Sequence, residues 1–167
     1  IEVRPMTTIP FAQRTYSRSK GQQDTFGDFT CLHCGRLVQS HELLSGVRNR
    51  NHCPHCLSSR HLDLFAAGDR LAACKGRMQP VALTLKHDGN KYRRNSGELM
   101  LVHICDECGK LSINRIAADD DNDLILHVFA ASQRLDPDTR AELAHAGITP
   151  LDACQRELVQ RRVWGTR

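Results

Sequence analysis

Hydrophobic residues in this chain fall into short runs, and the spacing inside the runs changes along its length. From Ile1 to Thr25 no apolar periodicity exists: Arg14-Thr-Tyr-Ser-Arg18-Ser-Lys20-Gly-Gln-Gln is polar and basic, which predicts a tail that is extended or disordered by itself. From Phe26 onward, brief apolar runs alternate with Gly, Asn and paired cysteines. Val81-Ala-Leu-Thr-Leu-Lys86 alternates as a half-buried strand does, and Leu99–Ile104 reads as a buried strand. The turn dipeptides Asp88-Gly89 and Ser96-Gly97 place a loop between them. Leu111–Ile116 and Leu124–Phe129 are further strand candidates.

The segment 130–167 changes to helical grammar. Asp136 can cap a helix that has Pro137 in its first turn and Gly147 as its stop. Thr149-Pro150-Leu151-Asp152 then opens a second helix with a near capping-box arrangement. Leu151, Cys154, Leu158 and Val159 line one face of it, and Arg156, Arg161 and Arg162 occupy the rest. The expected architecture is α+β: a tail over 1–25, a central module over 26–129 and a helical segment over 130–167.

Composition explains why the central module needs help. Only 5% of the 167 residues are aromatic and 40% are hydrophobic, so the core available to it is thin. Eight cysteines offer the missing cross-links. No basic n-region followed by an apolar stretch opens the chain, so a reducing, cytoplasmic setting is expected, and there paired cysteines read as metal ligands rather than disulfides. No apolar run approaches the ~18 residues of a membrane span.

The cysteine spacing carries the chemistry. Zinc takes four ligands in a tetrahedron, and two cysteines separated by two residues supply one edge from a single tight turn. Cys31-Leu-His-Cys34 and Cys53-Pro-His-Cys56 are two such knuckles, eighteen residues apart, the separation of a zinc ribbon. Cys105-Asp-Glu-Cys108 is a third knuckle and needs two more ligands. Cys74 is the natural third, and His103 is favoured as the fourth because alternate residues of a strand share a face, which sets it beside Cys105. His61 is the rival. His33 and His55 lie inside knuckles and point outward, and Cys154 reads as a small hydrophobe on a helix face. The expectation is two structural Zn2+ sites in a zinc-ribbon-like β module.

Arg50-Asn51-His52-Cys53-Pro54 resembles the signature that gives the RNHCP-domain family its name. The similarity extends over the first knuckle, Cys53 to Asp63, Gly68-Asp69-Arg70, Cys74, Gly76-Arg77-Met78, His103-Ile104-Cys105 and Asn114-Arg115-Ile116 to Asp120. It covers Phe26 to Asp121 and leaves the basic tail and the helical segment outside. The resemblance implies zinc binding and implies no reaction.

Charge points toward a partner. The formal net charge is +4, and its distribution is uneven. Arg14, Arg18 and Lys20 lie in the tail, Arg48, Arg50, Arg60 and Arg70 flank the second knuckle, and Lys86, Lys91, Arg93 and Arg94 surround Tyr92. Cations interleaved with a stacking ring, on a compact metal-held platform, fit RNA, and by analogy a ribosome-associated component. Arg14, Arg18, Lys20, Arg48, Arg50, Arg60, Lys91, Tyr92, Arg93 and Arg94 are the expected contacts. Two other classes compete. Asp119, Asp120, Asp121 and Asp123 could hold magnesium for phosphoryl chemistry, with His52 as a base. Alternatively, the terminal helices could dock a protein partner.

Overall fold

The computed structural model describes residues 27–86 and 97–165. Among them, the chain forms two antiparallel sheets and four helices in the order β1 (Phe29–Thr30), β2 (Leu37–Val38), α1 (Glu42–Ser45), β3 (Ser59–Arg60), β4 (Arg77–Lys86), β5 (Glu98–Cys105), β6 (Leu111–Arg115), α2 (Asn122–Ser132), α3 (Pro137–His145) and α4 (Arg156–Trp164). A 3-10 turn, Ala153–Gln155, leads into α4. β1 and β2 make a small hairpin, and the larger sheet runs β3-β4-β5-β6. The mixed α+β architecture expected from the sequence is therefore present.

β4 and β5 form the backbone of the fold. Leu83 faces Leu101 and Leu85 faces Leu99 across the ladder, while Ala82 faces Val102 on the opposite side, because side chains alternate between the two faces of a strand. Leu83, Leu85, Leu99 and Leu101 cluster with Ile125, Val128 and Phe129 of α2, Val159 of α4 and Leu57. Val81, Ala82, Val102 and Ile104 cluster instead with Leu143 of α3. Both faces of the sheet are covered, which explains why β5 reads as a continuous apolar run rather than an alternating one.

The stretch Leu124–Phe129 is helix, not strand. Asp121 caps it, its carboxylate accepting from the Leu124 amide, and Ile125, Val128, Phe129 and Ser132 are buried. Those positions recur with helical period, which a run of consecutive apolar residues conceals. The two C-terminal helices begin close to their sequence signals. Asp136 caps α3 with Pro137 at its start, and Asp152 and Gln155 form a reciprocal capping box ahead of α4. The helical segment also shares the sheet's core. The Leu151 amide donates to Leu83 O and the Thr84 hydroxyl to Thr149 O, and Leu151 and Val159 are buried. Residue 129, the expected end of the central module, lies inside α2. Cys154 is exposed, so it fills no core position.

None of these helices is long and apolar enough to cross a membrane, among the described residues. Phe129 is 1% exposed at the junction of α2 with the sheet. Phe129→Ala should lower stability by about 3–5 kcal/mol in denaturant unfolding, and a loss under 1 kcal/mol would show that α2 is not anchored there.

Candidate metal centres and the motif between them

The three knuckles share one backbone pattern. In the first, the Gly35 amide donates to Cys31 O and the Cys31 amide to Arg36 O; in the third, Gly109 donates to Cys105 O and Cys105 to Lys110 O. Gly35 and Gly109 sit at φ 72° and 71°, the left-handed region that glycine enters at little cost. The second knuckle repeats the bonds, Leu57 to Cys53 O and Cys53 to Ser58 O, but Leu57 holds the equivalent position at φ 59°. A side chain there costs ~1–2 kcal/mol. The offsetting gain is burial, since Leu57 is fully buried in the main core and such burial contributes ~1.5–3 kcal/mol.

These turns bring sulfur atoms together from distant parts of the chain. Cys31, Cys34, Cys53 and Cys56 form one group that could hold a metal ion, and His61, Cys74, Cys105 and Cys108 form a second. Within the first, Cys31 Sγ and Cys56 Sγ lie 3.5 Å apart and Cys34 Sγ and Cys53 Sγ 3.7 Å. Within the second, Cys74 Sγ is 3.8 Å from both Cys105 Sγ and Cys108 Sγ. A tetrahedron with metal–sulfur bonds of ~2.3 Å has edges of ~3.8 Å, so the spacing fits such a site. Closeness already perturbs the thiols. A hydrogen bond from Cys53 pulls Cys56 down to about 4, and one from Cys105, helped by His61, pulls Cys74 down to about 3. Cys31 and Cys108 are raised by burial, and Cys53 and Cys105 by their donated bonds. In each group one sulfur is thereby shifted toward the thiolate, the form that binds metal. Gly76 permits the second group, because a Cβ there would lie 2.4 Å from Glu107 Cγ and 3.1 Å from Cys105 Sγ.

The fourth member of the second group is His61, not His103. His61 Nδ1 is 3.0 Å from Cys74 Sγ and 3.2 Å from Cys108 Sγ. His103 does lie on the same strand face as Cys105, but both its ring nitrogens are taken: Nε2 donates to Leu57 O at 2.7 Å and Nδ1 accepts from Asn114 Nδ2 at 2.9 Å. Complete burial holds His103 down at about 3, so it stays neutral. Its work is to clamp the strained Leu57 turn of the second knuckle onto β5.

Between the two groups lies Arg50-Asn51-His52-Cys53-Pro54, and its residues have separate structural tasks. The Arg50 side chain is fully buried; its Nη1 donates to Asp119 at 2.8 Å, its Nη2 to Asp120 at 3.4 Å and its Nε to His52 O at 3.1 Å. His52 Nε2 lies 2.7 and 2.9 Å from the two carboxylate oxygens of Asp120, which also accepts from the Ala117 amide. Asn51 donates to Asp63 at 3.0 Å and accepts from Arg70. Cys53 joins the first metal group, and Pro54 O accepts from the Asp121 amide. The motif thus ties the second knuckle to the turn before α2 and to the 63–70 loop.

This network corrects two expected RNA contacts and accounts for three aspartates of the acidic run, Asp119, Asp120 and Asp121. Arg50 is spent on Asp119 and Asp120, and Arg60 is buried with its guanidinium 3.6 Å over the Phe29 ring. Arg48 does reach solvent, 3.6 Å from Glu42. Arg14, Arg18, Lys20, Lys91, Tyr92, Arg93 and Arg94 lie outside the described residues. Asp119 and Asp120 face Arg50 and His52, while Asp121 caps α2. Among the described residues the aspartates form no third metal-holding group. Sequence reasoning named His52 and Asp120 as catalytic candidates without seeing that they pair with each other, because nothing in their spacing reports a contact across 68 positions.

Two outcomes follow. His61→Ala should reduce bound metal from two equivalents to one, whereas His103→Gln should keep two; the reverse pattern, read by elemental analysis, would return the ligand to His103. Asp120→Ala, which removes the buried carboxylate that Arg50 and His52 share, should destabilise by about 3 kcal/mol, and denaturant unfolding within 0.5 kcal/mol of the parent protein would deny the network its role.

Comparison with known proteins agrees with the layout. The RNHCP domain model matches residues 26–126, which include both metal groups and end within α2. No curated protein and no solved structure matches the chain. The matched region is well over half of the sequence, and the chain belongs to the RNHCP domain family.

Proposed function

We propose that each group holds one Zn2+ as a structural cross-link and that the protein is a non-catalytic RNA-binding component, associated with the ribosome. The observation that carries the zinc assignment is the donor set. Seven thiols and one imidazole, with no carboxylate, are divided into two groups of four, and soft tetrahedral sets of this kind select zinc over the hard, oxygen-seeking ions. Four protein ligands fill the tetrahedron and leave no position for a substrate or an activated water. The ions therefore act by closing the fold. Unpaired cysteines in every group suit a reducing compartment such as the cytoplasm.

Support for RNA is electrostatic. After Arg50 and Arg60 are withdrawn, exposed Arg48, Lys86 and Arg115 still gather at one cleft, and the chain as a whole carries +4. Asp119, Asp120 and Asp121, three of the four aspartates that would serve a magnesium-dependent reaction, are engaged with Arg50, His52 and a helix cap, which favours binding over catalysis.

Two measurements test these halves separately. A strong chelator under mild heating should strip two equivalents of zinc and lower the thermal unfolding midpoint followed by circular dichroism; an unchanged transition in the metal-free protein would contradict structural zinc. Affinity for RNA should fall steeply as salt is raised, the logarithmic slope approaching about −0.7 per phosphate contacted on a single strand. Salt-insensitive binding, or absence from ribosomal fractions on sedimentation, would remove the RNA and ribosome reading respectively.

A further inference from the structure

Among the described residues β6 is the edge of the four-stranded sheet, hydrogen-bonded on one side only, to β5. Along its other side run two clefts. One, of about 300 Å³, is lined by Arg48, Asn51, Lys86, Ile113, Asn114 and Arg115 among others. The second, of about 350 Å³, includes Asn51, Leu64, Phe65, Ser112, Ile113 and Asn114. Both take in Asn51, Asp63, Ala67, Ile113 and Asn114, so they are two halves of one trough between the strand edge and the motif loop.

The halves differ in chemistry. The first carries Arg48, Lys86 and Arg115, all exposed. Two have anionic neighbours at the rim, Glu42 3.6 Å from Arg48 and Glu98 2.9 Å from Arg115. These pairs are more than 40% exposed on both partners, and solvent-exposed pairs of this kind hold weakly, so a phosphate can compete for the cations. Asp63, the carboxylate within the trough, is already matched by Arg70 at 3.3 Å and by Asn51. The second half presents Phe65, 85% exposed. Its ring stands on a fixed turn, because the Asp69 carboxylate accepts from the amides of Leu64, Phe65 and Ala66 at 2.9, 2.8 and 2.9 Å. Those bonds hold Asp69 well below the ordinary carboxylate range. A ring presented to solvent on a fixed turn offers a face on which a base can stack.

We propose that this trough is the protein's site for single-stranded RNA, with backbone phosphate at Arg48, Lys86 and Arg115 and a base stacked on Phe65. The assignment rests on the RNA reading above and locates it. An open strand edge by itself would equally suit an extended peptide. Cations at one end and a presented ring at the other offer a single strand both phosphate contacts and a stacking platform.

The test uses the full-length zinc-loaded protein and a fluorescent single-stranded oligouridylate, followed by anisotropy at low salt. The double substitution Arg48→Glu and Arg115→Glu should weaken binding by about tenfold or more, and Phe65→Ala by about fivefold or more, with Phe65→Tyr near the parent value. Arg36→Glu with Arg134→Glu, exposed positions outside the trough, should change affinity less than about twofold. Zinc content and circular dichroism verify folding of every variant. If RNA binds with salt dependence but ignores the trough substitutions, the site is wrong and the RNA reading stands. If the parent protein binds no RNA, both fall. Binding of an acidic extended peptide, lost on Phe65→Ala while RNA is not bound, would reassign the trough to strand addition.

Discussion

The fold depends on sulfur atoms from remote segments meeting at two points. Cys31 and Cys34 reach Cys53 and Cys56 in one group, and Cys74 reaches Cys105 and Cys108 with His61 in the other. Without something to bind them, the structure around the first group would have little to hold it: β1 and β2 are two residues each, and their cluster is Phe29, Val38 and cysteine side chains. Two-residue strands cannot repay the entropy of ordering their loops. By contrast, the sheet's main core of leucines, Ile125, Phe129 and Val159 is ordinary hydrophobic packing. The molecule therefore combines a conventional β4–β5 core with a region whose order comes from ligation.

Between those two regions sits the motif from Arg50 to Pro54. Its position explains its composition better than any reaction does. Arg50 and His52 converge on Asp120, Asn51 holds the 63–70 loop, and Cys53 belongs to the first metal group. His103 completes the junction by holding Leu57 O from β5. A charged network buried this deeply adds little net stability compared with apolar residues, but breaking one partner is severe. Its value here is geometric, since it fixes where the second knuckle stands relative to the sheet.

Much of this was legible in the residues. The knuckles announced themselves by spacing, β4 and β5 by apolar pattern, and α3 and α4 by their caps. The errors have specific causes. Leu124–Phe129 is apolar on nearly every residue, so its period was hidden, and only the Asp121 cap marks it as a helix. His103 satisfied a correct local rule, alternation along a strand, yet its ring was claimed by Leu57 O and Asn114, contacts that depend on the folding of distant segments. Arg50 and Arg60 read as surface cations because no sequence pattern reports burial against Asp120 or Phe29. The trough beside β6 was invisible for the same reason, being assembled from the motif loop, the 63–67 segment and a sheet edge.

If metal clamps this molecule as proposed, its ligand environment is the quantity to measure. X-ray absorption at the zinc edge of freshly purified protein reports it directly. The expected result is a shell of seven sulfurs and one imidazole nitrogen shared between two ions, with zinc–sulfur distances of ~2.3 Å. A shell dominated by oxygen, or protein that carries no zinc and oxidises these cysteines into disulfides, would contradict the account.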